Sequence, residues 1–439
     1  MPDVEPRLQK RYITLVEQHL GPAEALAAGL RVLPQGQTLM SSAMGAYRFY
    51  KNDRISLVKT FEPIKAHAQE AISRCQQWAL VIHDWSPLHY TDHESKEDRI
   101  VLYNKNDYGY LLQAALLVSD VDGSPLSPLY LGVEASDGVH STRREEVLPS
   151  RSEMDELGRT IGHVQHQSLG LPQVHIIDRQ GDSLLHLRRF NRCQYYFLVR
   201  GNEIRKVDHQ GASCLLKEVE QKLKKKFHYS GPAQYKGRKA DLYVAETEVT
   251  LNEAVRQRRI RNGKQTHKTI PGKPLQLRLI VAQVRSETGK LLATWRLWSN
   301  LPQSVPADKI AQWYYWRWKI ESFFKLLKQA GQHVEQWQQE SARSTAKRLA
   351  VVAQTCVIVW SLMQSTEPEA APLRRTLVRL SGRLMKHRVE YTASALLAGT
   401  WTFLMMLDTL EQYPIDELLR MGDVLRQMLG LQKRQSKGG

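Results

Sequence analysis

The sequence predicts an α/β fold, a mixed-sheet core that carries a β-rich insertion and has helical regions before and after it. Three observations predict it. Strand-like apolar runs fill residues 78 to 200, a strongly basic strand-like stretch follows, and both ends of the chain carry apolar residues at helical spacing. At 439 residues the chain exceeds one ordinary core, so two or three domains are expected.

Residues 1 to 75 read as helices divided at Pro22 and Pro34, with Gly21, Gln35 and Gly36 as turn residues. Within them SSAMGAYRFYKNDRI (41 to 55) sets Tyr47, Arg48, Tyr50, Lys51 and Arg54 among small residues. Such a module suits either DNA or a solvated helical surface. From residue 78 the period becomes that of strands. WALVIHDW (78 to 85), YLLQAALLVSD (110 to 120) and LSPLYLGVEAS (126 to 136) are three strands, and NKND and DVDG mark turns between them. Short turns between successive strands predict an antiparallel meander. A helix over 151 to 168, a strand LPQVHIID (171 to 178), a crossover GDSLLHLRRF and a strand CQYYFLVR (193 to 200) complete the order expected of an RNase H-like domain.

Most of the positive charge lies next. Residues 186 to 274 hold 21 Lys and Arg against 8 Asp and Glu, which is +13 of the formal +17. A lysine run at Lys222, Lys224, Lys225 and Lys226 and the cluster RQRRIRNGK (256 to 264) sit beside strand-like ADLYVAETEV (240 to 249), LQLRLIVAQV (275 to 284) and LLATWRLWS (291 to 299). The reading is a β insertion with basic loops, a sequence-independent clamp for phosphates. Net charge of this size points to a polyanion, nucleic acid before a membrane surface. Cys75, Cys193, Cys214 and Cys356 are far apart and lack metal-ligand spacing, so reduced, mostly buried thiols are expected. No signal-like apolar run follows the first basic residues, and 391 to 407 is too polar and short for a membrane span. A cytoplasmic protein is the expectation.

The stretch WYYWRWKIESFFKLLK (313 to 328) reads as one two-faced helix. At about 100° per residue, Trp316, Ile320, Phe323 and Leu327 share a core-facing stripe, while Tyr314, Arg317, Glu321 and Lys328 fall within an arc of about 60°. One carboxylate among cationic and phenolic groups suits metal-assisted chemistry on a polyanion, although an amphipathic surface helix fits the spacing as well. Residues 343 to 364 and 372 to 430 read as helical throughout.

Two further acids close strands. Asp84 ends ALVIHD and Asp178 ends VHIID, so two strands and a helix deliver three carboxylates to one edge of the sheet. Oxygen ligands suit Mg²⁺, and two such ions roughly 3.5 to 4 Å apart relieve charge on both the attacking and the leaving oxygen of a phosphodiester. His83 points to the opposite face of its strand and reads as structural.

In these residues the chain resembles the insertion-sequence 4 family of bacterial DDE transposases and is similar to its Tn5-type members. The family's helical signature is Tyr, two residues, Arg, three residues, Glu, six residues, Lys, which Tyr314, Arg317, Glu321 and Lys328 reproduce without a gap. Asp178, Arg179 and Asp182 match the wording at the second aspartate, although RQGD departs from its commoner form. AYRFYKNDRI (46 to 55) resembles the N-terminal DNA-binding segment, with Tyr47 and Arg48 as its contacts.

The resemblance spans roughly 5 to 345 and implies domains at 1–75 (DNA binding), 76–345 (catalytic, with the insertion at about 201–300) and 346–439 (dimerisation). It further implies Asp84, Asp178 and Glu321 as ligands of two Mg²⁺ ions, with Mn²⁺ able to substitute. Tyr314, Arg317 and Lys328 would contact phosphates, Trp318 and Trp295 a flipped base, with core packing as the alternative for both tryptophans, and Arg200 the cleaved strand; by its helix angle Lys325 either joins the phosphate face or is simply exposed. The implied activity is cut-and-paste transposition through a hairpin, on terminal inverted repeats and target DNA, by a homodimer at the bacterial nucleoid. The alternatives are an RNase H-like structure-selective nuclease and a domesticated DNA-binding regulator.

Overall fold

The computed structural model describes residues 2–19, 39–235, 237–261, 264–328, 331–386 and 389–429, with backbone alone at 17–19, 39–43, 256–261 and 264–267. The turns expected at Gly21, Pro22, Pro34, Gln35 and Gly36 lie outside the described residues. The chain divides into two compact units, one of residues 1–2, 56–324 and 340–353, the other of 3–55, 325–339 and 354–439. The second unit opens with helices α1 (Pro6–His19) and α2 (Leu39–Lys51).

The first unit opens with α3 (Leu57–Ala71), which the sequence placed with the N-terminal helices. Ser56 caps it by accepting the Lys59 amide at 2.9 Å, which satisfies one of the donors a helix start leaves free. Ala68 and Ala71 pack with Val81, Ala115, Leu117, Leu129 and Tyr130, so the helix covers one face of a sheet. That sheet begins with β1 (Ala79–His89), β2 (Ile100–Val101), β3 (Tyr108–Ser119) and β4 (Pro125–Ala135). Antiparallel pairing of β1 with β3 and of β3 with β4 forms the expected meander. It is extended at one edge by β5 (Gly138–Ser141) and β6 (Arg144–Leu148), strands too short and polar to stand out in the sequence.

After β6 the chain crosses through α4 (Glu153–Gln165) to β7 (Gln173–Ile177), and through α5 (Leu184–Arg192) to β8 (Tyr196–Arg200). β1 pairs with β7 and β7 with β8, both in parallel. Parallel neighbours need a crossover of about a dozen residues, which is what the two helices supply. The buried runs in β3 and β4 follow, because a strand covered on both faces reads as continuous apolar sequence.

The insertion prolongs the same sheet. It runs β9 (Lys206–His209), β10 (Ala212–Leu215), α6 (Leu216–Lys222), β11 (His228–Tyr235), β12 (Arg238–Leu251), a separate hairpin β13 (Val255–Arg261) and β14 (Lys264–Ile270), then β15 (Leu275–Ser286) and β16 (Leu291–Ser299). β16 pairs with β8 through Leu297↔Arg200, which joins insertion and core into one 14-stranded sheet. Trp298, Leu279 and Val281 share an apolar cluster with Ile177 and Val199 of the core strands.

The helix expected over 313 to 328 is two helices. α7 (Ala307–Tyr315) ends, Trp316 and Arg317 form a turn, and α8 (Trp318–Leu327) begins. The amides of Arg317 and Ile320 bond three residues back, to Tyr314 at 3.0 Å and Arg317 at 3.2 Å, so the chain tightens at this point. Trp316 lies against Gly123 of the DVDG turn, where a β-carbon would sit 2.4 Å from the indole and φ is +70°. Trp313 donates to the Asp120 carbonyl of the same turn. The two indoles anchor the break to the β3–β4 turn.

Four helices follow, α9 (Ala342–Gln364), α10 (Ala370–Leu380), α11 (Ala393–Gln412) and α12 (Ile415–Met428), so 372 to 430 is interrupted rather than helical throughout. In the second unit Val359, Leu377, Leu396 and Leu397 form a small core. α9 and α11 are long and apolar enough to cross a membrane, which corrects the expectation for 391 to 407. The apolar window of α9 is 72% buried, the setting of a core helix, and that of α11 is 33% buried. Among the cysteines, Cys75 and Cys356 are buried, Cys214 is partly covered and Cys193 is exposed.

Candidate active site

Asp84 sits in the middle of β1, not at its end as expected. Its position is still an edge of a kind, because pairing between β1 and β7 stops at His83↔Ile177. Asp84 and Asp178 are the next residues on two neighbouring parallel strands, whose backbones run about 4.8 Å apart. One Asp84 oxygen accepts the Trp85 amide at 2.9 Å and the other accepts from the Arg317 guanidinium at 3.0 Å. Asp178 caps a 3₁₀ turn at Arg179–Gly181 by accepting the Gln180 amide at 2.8 Å. Gly181 is required there, since a β-carbon would fall 2.6 Å from the Ile177 side chain.

Glu321 arrives from the first turn of α8, where Arg317 donates to it at 2.8 Å. One guanidinium therefore bridges Asp84 and Glu321, and Asp178 is near enough for its charge to act on Asp84. Burial pushes the Asp84 carboxyl up to about 6 against the pull of Arg317 and the Trp85 amide, and the charges of Asp178 and Glu321 push in the same direction. For Arg317, burial opposes the charge, but Tyr314, Asp84 and Glu321 outweigh it and hold the guanidinium above its ordinary range.

The other expected contacts divide by exposure. Trp318 is 49% exposed, with the Arg317 guanidinium 5.0 Å from its ring, and offers a free aromatic surface beside the acids. Arg200 ends β8, and its charge is felt by Tyr314. Tyr314, expected on the phosphate face, is buried at 3% exposure; burial pushes its hydroxyl up to about 12 against the pull of the Arg317 and Arg200 charges. The break at Trp316 and Arg317 is the reason, because the single-helix arc that grouped Tyr314 with Glu321 does not survive it. Trp295, 5% exposed, packs on Tyr314 and Tyr315 at ring distances of 5.6 and 6.2 Å, so it is a packing residue and presents no open face to a base.

Lys328 belongs to the other unit, where it pairs with Glu335 at 3.2 Å, and Lys325 is exposed on α8. Tyr47 in the same unit is tied to Lys51 at 3.1 Å. Arg48 lines a cleft between α1 and α2 with Arg7, Lys10, Arg11 and Arg54.

His83 is fully buried and bonds His175 at 2.8 Å, and Gln165 continues the chain at 2.9 Å. Burial holds His83 down at about 3, so this is a neutral tie between β1 and β7 beneath the two aspartates, as its strand face implied. Asp182 is structural too. It accepts the Asn202 amide at 2.8 Å and pairs with Arg205 at 3.0 Å, pinning the loop after β8.

Two neighbours escaped the sequence reading. Glu153, in the first turn of α4, feels the charge of Asp178, and Tyr103 feels the charges of Glu153, Asp84 and Asp178. An acid in a first helical turn is ordinary in sequence, since it complements the helix dipole, so nothing marked Glu153 out.

Compared with protein-family models and with curated proteins, the chain matches none. Among solved structures it is similar to a cryo-EM structure of a piggyBac transposase synaptic complex with hairpin DNA, at a TM-score of 0.35 and 10% identity, over 99% of this chain and 77% of that one. The functional reading rests on this chain's own residues.

Proposed function

We propose that the protein is a DDE-type DNA transposase of the insertion-sequence 4 kind, which cuts at transposon ends and joins them to target DNA. The observation that carries this reading is the meeting of Asp84, Asp178 and Glu321, from two parallel strands and a helix, with Arg317 between two of them. The strand order β4-β3-β1-β7-β8, three antiparallel neighbours and then two parallel ones, is the arrangement of an RNase H-like core and supports it.

The donors at this place are carboxylate oxygens, the ligand type of Mg²⁺ and Mn²⁺. A site that gathers three acids and already holds a guanidinium between two of them is built for positive charge. Asp84, Asp178 and Glu321 would hold the ions, which supply charge neutralisation at the attacking and leaving oxygens of a phosphodiester. The protein's own groups do the rest. Arg317 is held between Asp84 and Glu321, and Arg200, at the end of β8, is a cation that can take a phosphate. Trp318 offers a half-exposed ring for an unstacked base, whose extrusion would otherwise expose it to water.

The formal charge of +17 supplies sequence-independent attraction to DNA, much of it on the insertion. A homodimer on DNA completes the reading, with α12, none of whose residues is buried, as a contact between copies. The test is strand transfer. Purified protein, Mg²⁺ and a fragment carrying the DNA that flanks the gene on both sides should join fragment ends to a plasmid. Cleavage without joining, most active on branched DNA, would instead establish a structure-selective nuclease.

A further inference from the structure

The pairing of β1 with β7 lacks the usual safeguard of strand register. A slip of one residue normally turns an apolar face out to water, but 79–83 of β1 and 173–177 of β7 are buried at every position, so that penalty is missing. Register matters at this place. Asp84 stands level with Asp178 only while His83 pairs with Ile177, and one step along a strand is about 3.3 Å.

Two polar side chains mark the register. His83 and His175 lie on the same face, one on each strand and two positions apart, and His83 Nε2 is 2.8 Å from His175 Nδ1 with both residues fully buried. The other nitrogen of His175 bonds Gln165, the last residue of α4, at 2.9 Å. Any slip of β7 along β1 breaks the bond between the rings and leaves further buried nitrogens without a partner, which in a dry core forfeits their whole hydration. Packing alone does not call for such a pair. His83 Nδ1 is already buried without a hydrogen-bond partner, a penalty that an apolar side chain would not carry.

We propose that His83 and His175 are positioning residues of the cleavage site: their hydrogen bond, held at its outer end by Gln165, selects the β1–β7 register that sets Asp84 level with Asp178. A buried polar contact that fixes register at a cost in stability is a known use of such groups. The inference rests on the reading of the two aspartates as acids of a metal-dependent centre, and adds to it the device that aligns them.

The test uses the full-length chain with His83→Leu and His175→Leu together, with His175→Gln, which keeps a group able to bond His83, and with Gln165→Leu, at a partly buried helix end. Melting temperature, DNA affinity in Ca²⁺ and the Mg²⁺ dependence of nicking on the fragment carrying both gene flanks are compared with the wild type. The double variant should melt no lower than the wild type and bind DNA alike, yet nick at least about tenfold more slowly and need about tenfold more Mg²⁺ for half-maximal rate. His175→Gln should recover part of the loss, and Gln165→Leu should show about a threefold loss. A double variant that nicks at the wild-type rate with the wild-type Mg²⁺ dependence, whatever its melting temperature, overturns the positioning role and leaves the assignment of the acids intact. So does a double variant that fails to fold while Gln165→Leu nicks as the wild type does. Absence of nicking by the wild type in both Mg²⁺ and Mn²⁺ overturns the metal-dependent reading, and this inference with it.

Discussion

Replacing Arg317 with methionine keeps most of the side chain's bulk and removes the charge that Asp84 and Glu321 share. The two arms of the bridge differ in weight. The Asp84 side chain is 15% exposed and Glu321 42%, so the Asp84 arm behaves as a buried pair and the Glu321 arm as a surface one. Breaking a buried pair from one side costs about 3 kcal/mol, while the exposed arm adds between about 0 and 1. The loss depends on pH through Asp84. Burial raises its carboxyl from 3.8 to about 6, so between those values the folded chain binds more protons than the unfolded one, and the group's contribution to stability falls as pH rises.

Without the guanidinium that carboxyl rises further and the fall deepens. Arg317→Met should therefore lose roughly 3 kcal/mol at pH 8 and only about 1 at pH 5, where Asp84 is protonated in both proteins. Urea melts at the two pH values measure this. Added Mg²⁺ should recover more stability in the variant than in the wild type, because the acids no longer hold a competing cation. Equal losses at pH 5 and pH 8, with no extra rescue by Mg²⁺, would refute the reasoning.

Three other substitutions probe separate parts. Asp84→Asn removes a carboxylate that burial disfavours, so the metal-free protein should gain roughly 1–3 kcal/mol at pH 8 and nearly nothing at pH 4, read by thermal melts, while nicking is abolished. Gly123→Ala puts a β-carbon 2.4 Å from the Trp316 indole at a left-handed φ, and should cost about 2–4 kcal/mol in urea melts with a change in tryptophan fluorescence. Trp318→Ala alters a half-exposed side chain and should change stability by less than about 0.5 kcal/mol, but should slow hairpin formation more than first-strand nicking on denaturing gels. Equal slowing of both steps would remove its base-holding role.

The strands and their order were legible because buried β runs such as ALVIHD and VHIID are local, and because parallel pairing demands the intervening helices. What brings Asp84 and Asp178 together, the matched end of β1–β7 pairing, follows from that order. Glu321 and Arg317 were legible from spacing alone, since i,i+4 neighbours meet on any helix. Tyr314 was not, because one turn at Trp316 and Arg317 resets the helical phase. That turn depends on Gly123, nearly two hundred residues earlier, and so has no local signal. The joining of insertion and core through Leu297↔Arg200 is hidden for the same reason: edge-to-edge pairing is a tertiary choice between strands that each look complete. Trp295 illustrates a limit of residue type, since a tryptophan on a strand suits a packed core and a base pocket equally well.

Asp84, Asp178 and Glu321 are proposed to cut DNA with a divalent cation. Nicking of DNA carrying both gene flanks, measured in Mg²⁺ with wild type, Asp84→Asn, Asp178→Asn and Glu321→Gln, tests it most directly. Wild type should nick, each variant should fall by at least about a hundredfold, and all four should bind the DNA alike in Ca²⁺. Nicking by Glu321→Gln at the wild-type rate, with the DNA bound equally, would contradict the account.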